Sequence, residues 1–498
     1  MPVKEPTSNG CRITRSLLTL AKRERRMEIV ETINATQPNI IAWQGYKLDQ
    51  SVRCNSLSLR HMIPNDHLLV RIHEAKELEF SFIYEITKNR YCANYGRPSI
   101  DPVLFFRMQI ISYLYGIKSN RRLCKEIQLN IAYRWFCGLS LEDKVPDHSS
   151  LSRIRDRFGV ELFQEIFISL IKQWYELDII KGETIISDAS LVESNASMNS
   201  LILRKDQGDS QKRELKKYER RYHDFREGKK VRKISNQTHV SRTDPDCSLV
   251  SRTNGYKKLC YKTHYSIDSD SRIIIDCYVS TGSQHECIVL PSRVWNILNN
   301  FSFRVKEWIA DKGYGRGPTY GYFKLLGITT YIPLHVDNLG EGKISRGEFQ
   351  YDREQDRYKC PQGHYLYPYD KLDKKQIKRY RITGGHCKNC SLKSGCISDN
   401  YSNRGRFIYR NPYQDEIDEV KVRQNRIDFK KKLIERKWKI EGLFGEAKEN
   451  HGLRGAKFRS VQKTQIQILM IAIVQNFKRI LKIIFWFFYL LLLKIKKY

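Results

Sequence analysis

The sequence is short of acidic residues. Its 498 residues include 55 Asp and Glu against 88 Lys and Arg, which gives a formal net charge of +33. Such an excess costs self-repulsion unless a polyanion binds, so it argues against an ordinary metabolic enzyme. Nucleic acid is the polyanion that we expect. An anionic membrane surface and a simple compositional bias toward Lys, Ile and Asn are the alternatives.

Long hydrophobic runs are also lacking. The apolar run at residues 483–493 has 11 residues, whereas a membrane-spanning helix needs about 20. No apolar stretch typical of a secretory signal occurs near the N-terminus. We therefore expect a cytoplasmic protein without a membrane partner, in which the 13 cysteines stay reduced. The apolar run is interpreted as a buried C-terminal helix, and a helix in a membrane interface is the alternative.

What is present indicates a folded chain of several domains. Hydrophobic residues make up 41% and aromatic residues 11%, which excludes a wholly disordered protein. Composition and periodicity divide the sequence into a weakly ordered basic arm (1–55), a helical region (56–178), a mixed α/β region (179–351) with a basic insertion (200–240), a Cys-rich insert (352–400), further helices (401–482) and an apolar and basic tail (483–498). Within the insertion, residues 204–233 carry 13 basic and 6 acidic side chains, a net charge of +7.

Three acids occupy positions typical of a metal site. Asp188 follows the apolar run ETIIS, Asp311 follows VKEWIA, and Glu441 lies on the helical segment RKWKIEGLFGEAK. Ligands gather outside the carboxyl ends of strands in open α/β sheets. Carboxylate oxygens suit Mg²⁺, and a pair of such ions supports phosphoryl transfer. For each acid taken alone, a turn or capping role is at least as common.

The ordered set of motifs resembles the DDE transposases of bacterial insertion sequences. The motifs are DASLVESNAS (188–197), SRTDPD (241–246), YKTH (261–264), ADKGY (310–314), IEGLFGEAK (440–448), HGLR (451–454) and NFKR (476–479). The resemblance spans roughly residues 56–482. It implies an RNase H-like catalytic core behind an all-α N-terminal DNA-binding domain. It also implies metal-dependent cleavage and joining of DNA strands at element ends.

The resemblance assigns roles to individual residues. Asp188, Asp311 and Glu441 become the catalytic triad and the ligands of Mg²⁺ or Mn²⁺. Lys448 becomes a contact to a DNA phosphate. The family usually has Arg four residues before the Glu, where this sequence has Lys437, with Arg436 one position earlier; both are further phosphate contacts. Glu446, about 140° around the helix from Glu441, is the rival third acid.

Four cysteines in the insert have spacing that suits zinc. They follow the pattern Cys-x26-Cys-x2-Cys-x5-Cys at Cys360, Cys387, Cys390 and Cys396. Tetrahedral zinc accepts four thiolates, and His364 could replace one of them. Similar transposases carry a Cys-rich insert at this place, so we expect a small zinc-ribbon-like module with a structural zinc. Four free or buried thiols are the alternative.

The basic residues indicate the partner. Candidate phosphate or groove contacts in the helical region, chosen by helix and charge alone, are Arg121, Arg122, Arg153 and Arg155. The basic segment 204–233 is the candidate for salt-sensitive binding. The family resemblance implies terminal inverted repeats and target DNA as partners, a homodimer in the synaptic complex, and a nucleoid-associated location. A non-catalytic, transposase-derived DNA-binding protein is the alternative function.

Two further positions stay open at this point. His285 and Glu286 begin a predicted helix, where a capping role is favoured over that of a general base. Tyr314, close behind Asp311, could stack on a DNA base or be an ordinary packed tyrosine.

Overall fold

The computed structural model describes residues 53–54, 57–91, 99–204, 234–251, 255, 257–335, 343–369, 377–397 and 405–495, with side chains described from 58 to 487. The chain divides into two compact units, Met1–Asp49 with Tyr91–Asp101 and Gln50–Arg90 with Pro102–Tyr498. The first unit lies almost entirely outside the described residues. The predicted basic arm, apart from Arg53–Cys54, and the basic segment 205–233 lie outside them as well.

Helices dominate residues 57–178, as the sequence predicts. They follow a short hairpin of β1 (Arg53–Cys54) and β2 (Leu57–Ser58), and they are α1 (Leu68–Glu74), α2 (Phe82–Thr87), α3 (Pro102–Leu114), α4 (Asn120–Leu129), α5 (Ile131–Phe136) and α6 (His148–Glu176). Every residue of α3 is buried, so this helix is the centre of the region. Asp147 caps α6 by accepting a hydrogen bond from the backbone N–H of Ser149 at 2.8 Å.

A mixed sheet follows. Its strands are β3 (Thr184–Glu193), β6 (Ser248–Ser251), β7 (Lys257–Asp268), β8 (Ile274–Thr281), β9 (Glu307–Ile309) and β10 (Thr329–Tyr331), in the order β10-β9-β3-β7-β6, with β8 also paired to β7. Strands β10, β9 and β3 are parallel, and the others pair antiparallel. Helices α7 (Glu286–Asn300) and α8 (Gly317–Leu325) connect the strands. The predicted mixed α/β sheet and the predicted β7–β8 hairpin are therefore confirmed.

Strand β3 differs from its predicted length. The sequence places Asp188 at the end of a short strand, but β3 continues to Glu193, so that prediction is wrong. The reason is that the residues after Asp188 keep pairing antiparallel with β7, as far as Glu193 opposite Cys260. Only the parallel pairing with β9 stops before Asp188, at Ile186.

A small antiparallel sheet contains the Cys-rich insert and extends beyond its predicted bounds of 352–400 at both ends. Its strands are β11 (Gln350–Asp352), β12 (Arg357–Lys359), β13 (Tyr365–Pro368), β14 (Lys378–Ile382) and β15 (Phe407–Arg410), with the short helix α9 (Lys393–Cys396). Tyr358, Leu366 and Tyr380 are buried at its centre.

Strands β4 (Leu201–Leu203) and β5 (His239–Ser241) form a separate antiparallel pair. They lie at the two ends of the predicted basic insertion.

Three helices complete the chain: α10 (Gln414–Arg423), α11 (Ile427–Asn450) and α12 (Val461–Ile495). Helix α12 covers the edge of β8, because the Gln465 amide bonds the backbone of Val279 and Cys277 and the Asn476 amide bonds both backbone groups of Ile274. These bonds satisfy groups that an edge strand would otherwise expose.

The apolar run lies on α12, and the side chains described in it, those of residues 483–487, are not buried as the sequence suggests. Phe485 is 64% exposed and Trp486 61% exposed. Within the described residues, no helix combines the length and hydropathy that a membrane span requires.

Candidate active site

The register of the sheet places Asp188 and Asp311 side by side. In the parallel pair of β3 and β9, Thr184 lies opposite Glu307 and Ile186 opposite Ile309. Asp188 and Asp311 each follow two residues after the last pair of that register, and the charge of Asp311 acts on Asp188. Neighbouring strands are about 4.8 Å apart. The pair predicted from the sequence is therefore adjacent.

Local hydrogen bonds hold each carboxylate in place. Asp188 Oδ1 accepts the backbone N–H of Ala189 at 2.8 Å. Asp311 caps the turn Lys312–Tyr314, where its Oδ1 accepts the backbone N–H of Gly313 at 2.9 Å. A carboxylate oxygen has two acceptor sites, so these bonds leave capacity on both side chains for another ligand.

The surroundings of Asp188 disfavour the ionised form of its carboxyl group. Burial raises its pKa to about 6, and the negative charge of Asp311 adds to this effect. The charge of Arg436 and the N–H of Ala189 oppose it. A partly buried pair of like charges is the arrangement that a bound cation relieves.

Arg436 reaches this pair from helix α11. Its guanidinium Nη1 donates to Asp188 Oδ2 at 2.7 Å. Helix α11 is held against the sheet by the buried side chains of Ile440, Leu443 and Phe444, and the Phe444 ring stacks on Tyr265 with centroids 4.7 Å apart. Arg436, expected to contact DNA phosphate, thus bonds a predicted catalytic carboxylate in this structure.

Glu441 lies elsewhere on the same helix. It is exposed, as is Lys437. Five residues of helix separate Glu441 from Arg436, a rotation of about 140°, which turns its side chain away from the face that carries Arg436. Lys437 and Lys448 lie within about 40° of Glu441 around the axis. The structure therefore brings Asp188 and Asp311 together and leaves Glu441 outside the pair.

Glu446, the rival third acid, belongs to a different environment. It is paired with Lys478, with Arg479 Nη2 at 3.6 Å and with His451 Nε2 at 3.7 Å, and it accepts a hydrogen bond from Gln475 Nε2 at 3.3 Å. Burial acts to raise the pKa of Glu446, but the bonds from His451 and Lys478 outweigh it and hold that pKa well below its usual range. We call Glu446, His451, Gln475, Lys478 and Arg479 the Glu446 cluster; it joins α11 to α12.

Two residues beside the aspartates were not assigned to the site from the sequence. Glu286, the first residue of α7, and the buried Tyr314 lie within electrostatic reach of Asp311. We call Asp188, Asp311, Glu286 and Tyr314 the aspartate pocket. The sequence offered one signal for Glu286, its position at the start of a helix soon after strand β8. Sequence analysis interprets that position as a helix cap.

The donor chemistry of the pocket suits a hard cation such as Mg²⁺, because its charged groups are carboxylates. Within the described ranges, however, no three His, Cys, Asp or Glu side chains lie close enough together to hold a metal ion. The pair of aspartates is thus present, and a third ligand is not at coordinating distance.

The four insert cysteines surround one small cavity. It has a volume of about 30 Å³ and is lined by Cys360, Cys387, Cys390 and Cys396 together with His364 and His386. The pKa of Cys396 is raised, first by burial and also by the three other thiols, against the opposing charge of Arg406. The two histidine rings stack with centroids 4.2 Å apart.

The candidate DNA contacts of the helical region differ in exposure. Arg121, Arg122 and Arg153 are exposed. Arg155 is 7% exposed and lies over the ring of Phe458, with its guanidinium carbon 4.0 Å from the ring centroid. Arg155 is therefore better explained as a packing contact than as a DNA contact.

The motif SRTDPD also has a structural explanation. Asp244 Oδ1 accepts the backbone N–H of Ser460 at 3.1 Å, and Asp246 Oδ2 accepts that of Val461 at 3.0 Å. Both groups belong to the start of α12. These two acids anchor a helix terminus rather than extend the aspartate pocket.

Two family models match parts of the chain. Residues 57–157 match the family model described as "Transposase domain (DUF772)", and residues 359–481 match "Transposase DDE domain". No curated protein matches the chain. Among solved structures, the chain is similar to a piggyBac transposase synaptic complex with hairpin DNA, at 11% identity and a TM-score of 0.29, with 83% of this chain and 74% of that chain covered.

The two family matches define the class of protein. Both models are transposase domains, and together they support a DDE transposase of the insertion-sequence type.

Proposed function

We propose that the protein is an active DNA transposase that binds the ends of its element and cleaves and joins DNA strands with a divalent cation. Its core is RNase H-like, and Asp188, Asp311 and Glu441 are its catalytic acids. The observation that supports this proposal is the register of β3 and β9, because Asp188 and Asp311 each come two residues after its last pair. The bond from Arg436 of helix α11 to Asp188 also supports it. It occurs in a chain matched by transposase models near both ends.

The residues act in complementary ways. Asp188 and Asp311 would hold Mg²⁺ or Mn²⁺ from the sheet, and Glu441 would contribute from α11. When bound, a pair of such ions activates water or a 3′-hydroxyl and stabilises the departing oxygen. Lys437 and Lys448 share the flank of α11 that carries Glu441, where they would bind DNA phosphates as point charges.

Arg436 has a second use in this scheme. Its guanidinium partly neutralises Asp188 in the absence of other cations. Guanidinium groups also bind phosphate through two parallel hydrogen bonds. The same side chain could therefore exchange the carboxylate for a DNA phosphate when a metal is bound at Asp188. The full surface, with its net charge of +33, supplies the long-range attraction for DNA.

Nicking of DNA tests the triad. The substrate is a supercoiled plasmid that carries the coding region with its natural flanks, incubated with purified protein and Mg²⁺ or Mn²⁺. Asp188→Asn, Asp311→Asn and Glu441→Gln should each reduce nicking on the order of a hundredfold or more. Glu449→Gln is the matched control, because Glu449 is an exposed acid on the same helix, paired with Arg454.

The outcomes separate the roles. If all three variants nick DNA like the parent, the proposal is wrong. If only Glu441→Gln stays active, the aspartates remain assigned and the third acid must be sought elsewhere.

The exposed position of Glu441 and the bond between Arg436 and Asp188 favour one rival. This rival is a non-catalytic, transposase-derived DNA-binding protein. It predicts retarded DNA in a gel-shift assay without any nicking by the parent, whichever divalent cation is added. A homodimer on paired element ends is part of our proposal and not of the rival.

We also propose a structural zinc in the insert, held by Cys360, Cys387, Cys390 and Cys396. Their convergence on one cavity supports it, and His386 joins His364 as an alternative ligand. Elemental analysis of the purified protein should find about one zinc per chain, and Cys390→Ser should remove most of it. Cys124→Ser, in the helical region, should not. Less than about 0.2 zinc per chain in the parent would contradict the site.

A further inference from the structure

The hydroxyl of Tyr314 is buried without a hydrogen bond. The side chain is 2% exposed, and its oxygen finds no hydrogen-bond partner among the described residues. Burying a hydroxyl without a partner is unfavourable, so such a group in a native protein calls for an explanation. An acceptor that binds beside it would supply one.

The surroundings of this hydroxyl are negatively charged. Burial raises the pKa of Tyr314 well above its usual value, and the charges of Asp188, Asp311 and Glu286 raise it further. Among these carboxylates the phenol O–H is suited to donating a hydrogen bond to an acceptor. Donation to a bound water or to a carboxylate oxygen would satisfy it.

Glu286 reaches the pocket from helix α7. Its Oε1 accepts a hydrogen bond from Lys262 Nζ at 2.7 Å. Its Oε2 lies 3.5 Å from the point where a Cβ on Gly313 would be, and Asp311 Oδ1 lies 3.0 Å from that same point. The two carboxylates therefore approach the same side of Gly313, where a Cβ would crowd Asp311 Oδ1.

Lys262 forms an ion pair with Glu286 and holds its carboxylate at the start of α7. Lys262 also donates to the carbonyl of Gln284 at 2.8 Å. Three carboxylates thus act electrostatically on an unsatisfied hydroxyl. Two of them are paired in the structure, Glu286 with Lys262 and Asp188 with Arg436.

We propose that Glu286 contributes a carboxylate to the divalent-cation site of Asp188 and Asp311, and that Tyr314 donates a hydrogen bond to the water or oxygen bound there. This inference rests on the proposed function, because it adds a fourth acid to the same site. It gives the unpaired phenol a partner, which a purely structural Glu286–Lys262 ion pair does not.

Binding of Mn²⁺ to the full-length protein without DNA tests the inference. Electron paramagnetic resonance counts free Mn²⁺ and gives an affinity without any need for activity. Glu286→Gln should weaken Mn²⁺ binding about 10- to 100-fold. Tyr314→Phe, which removes only the hydroxyl, should weaken it by a smaller factor. Glu307→Gln is the matched control, because Glu307 is a similarly half-buried acid paired with Lys432 at 2.6 Å.

Asp188→Asn separates this inference from the proposed function. If Asp188→Asn loses Mn²⁺ but Glu286→Gln binds it like the parent, Glu286 is not part of the site and the proposed function stands. If neither variant changes Mn²⁺ binding, the metal site itself is misplaced and both proposals fail.

A folding defect must also be distinguished from a ligand defect. Glu286→Asp keeps the negative charge and can still form the ion pair with Lys262, but its side chain is one methylene shorter. An affinity between those of the parent and Glu286→Gln supports ligation. The proposal would be overturned if Glu286→Asp bound Mn²⁺ like the parent while Glu286→Gln had a lowered melting temperature. Glu286 would then be a partner in a structural ion pair and not a metal ligand.

Discussion

Helix α11 contacts two carboxylate environments that have opposite charge balance. The aspartate pocket on one flank has three carboxylates and, beside them, Arg436 and Lys262. The Glu446 cluster on the other flank has one carboxylate and three basic side chains. A carboxylate with surplus basic partners is satisfied by the protein itself. The aspartate pocket has more carboxylates than paired cations, and this difference is the reason that we propose a cation site there and not at the Glu446 cluster.

The largest stability effect should come from the Glu446 cluster. Glu446→Gln should lower the free energy of unfolding by about 2 kcal/mol at pH 7, because it leaves partly buried cations without their counter-charge. Urea denaturation measures this value. Mn²⁺ binding should be unchanged, since the cluster lies outside the aspartate pocket.

The pH dependence of this effect has a definite sign. The pKa of Glu446 in the folded protein lies below its ordinary value of 4.5. Its stabilising contribution is therefore complete above about pH 4.5 and is lost as the pH falls further. The difference between parent and Glu446→Gln should be constant near neutrality and shrink below pH 4.5. Glu449→Gln, a change in an exposed pair, should have little effect at any pH. An equal loss of unfolding free energy in Glu446→Gln and Glu449→Gln would contradict this, because the Glu446 cluster would then stabilise the fold no more than an exposed ion pair does.

The sequence predicts the sheet and the aspartate pair for physical reasons. Alternation and short apolar runs identify strands, and an acid after each of two parallel strands identifies one edge of a sheet. The same reasoning stops β3 at Asp188, because it has no information about the antiparallel partner β7 that extends the strand. The pair survives this error, since only the register with β9 sets it.

The helical side of the site was less predictable. Sequence spacing shows that Arg436 and Glu441 differ by about 140° around α11, but it does not show which of them faces the sheet. That choice depends on the packing of Ile440 and Phe444. Glu286 was missed for a related reason. Its role depends on where the start of α7 lies relative to Gly313, a contact between segments that no local pattern encodes.

The smaller stability effect should come from the aspartate pocket and should have the opposite sign. Asp188→Asn removes one of two neighbouring, partly buried carboxylates, so it relieves repulsion from Asp311 and the cost of burying the charge. The loss of the ion pair with Arg436 offsets part of this gain. We expect a net rise in melting temperature of roughly 1–2 °C without added metal.

Added Mn²⁺ should reverse that order. A cation that binds the folded protein stabilises it by mass action, so the melting temperature of the parent should rise with Mn²⁺ concentration while that of Asp188→Asn stays constant. Glu307→Gln, outside the pocket, should respond to Mn²⁺ like the parent. If Asp188→Asn instead melts lower than the parent without metal, the ion pair with Arg436 outweighs the repulsion. The pocket would then have the same kind of charge balance as the Glu446 cluster, and the contrast between the two flanks of α11 would no longer identify the site.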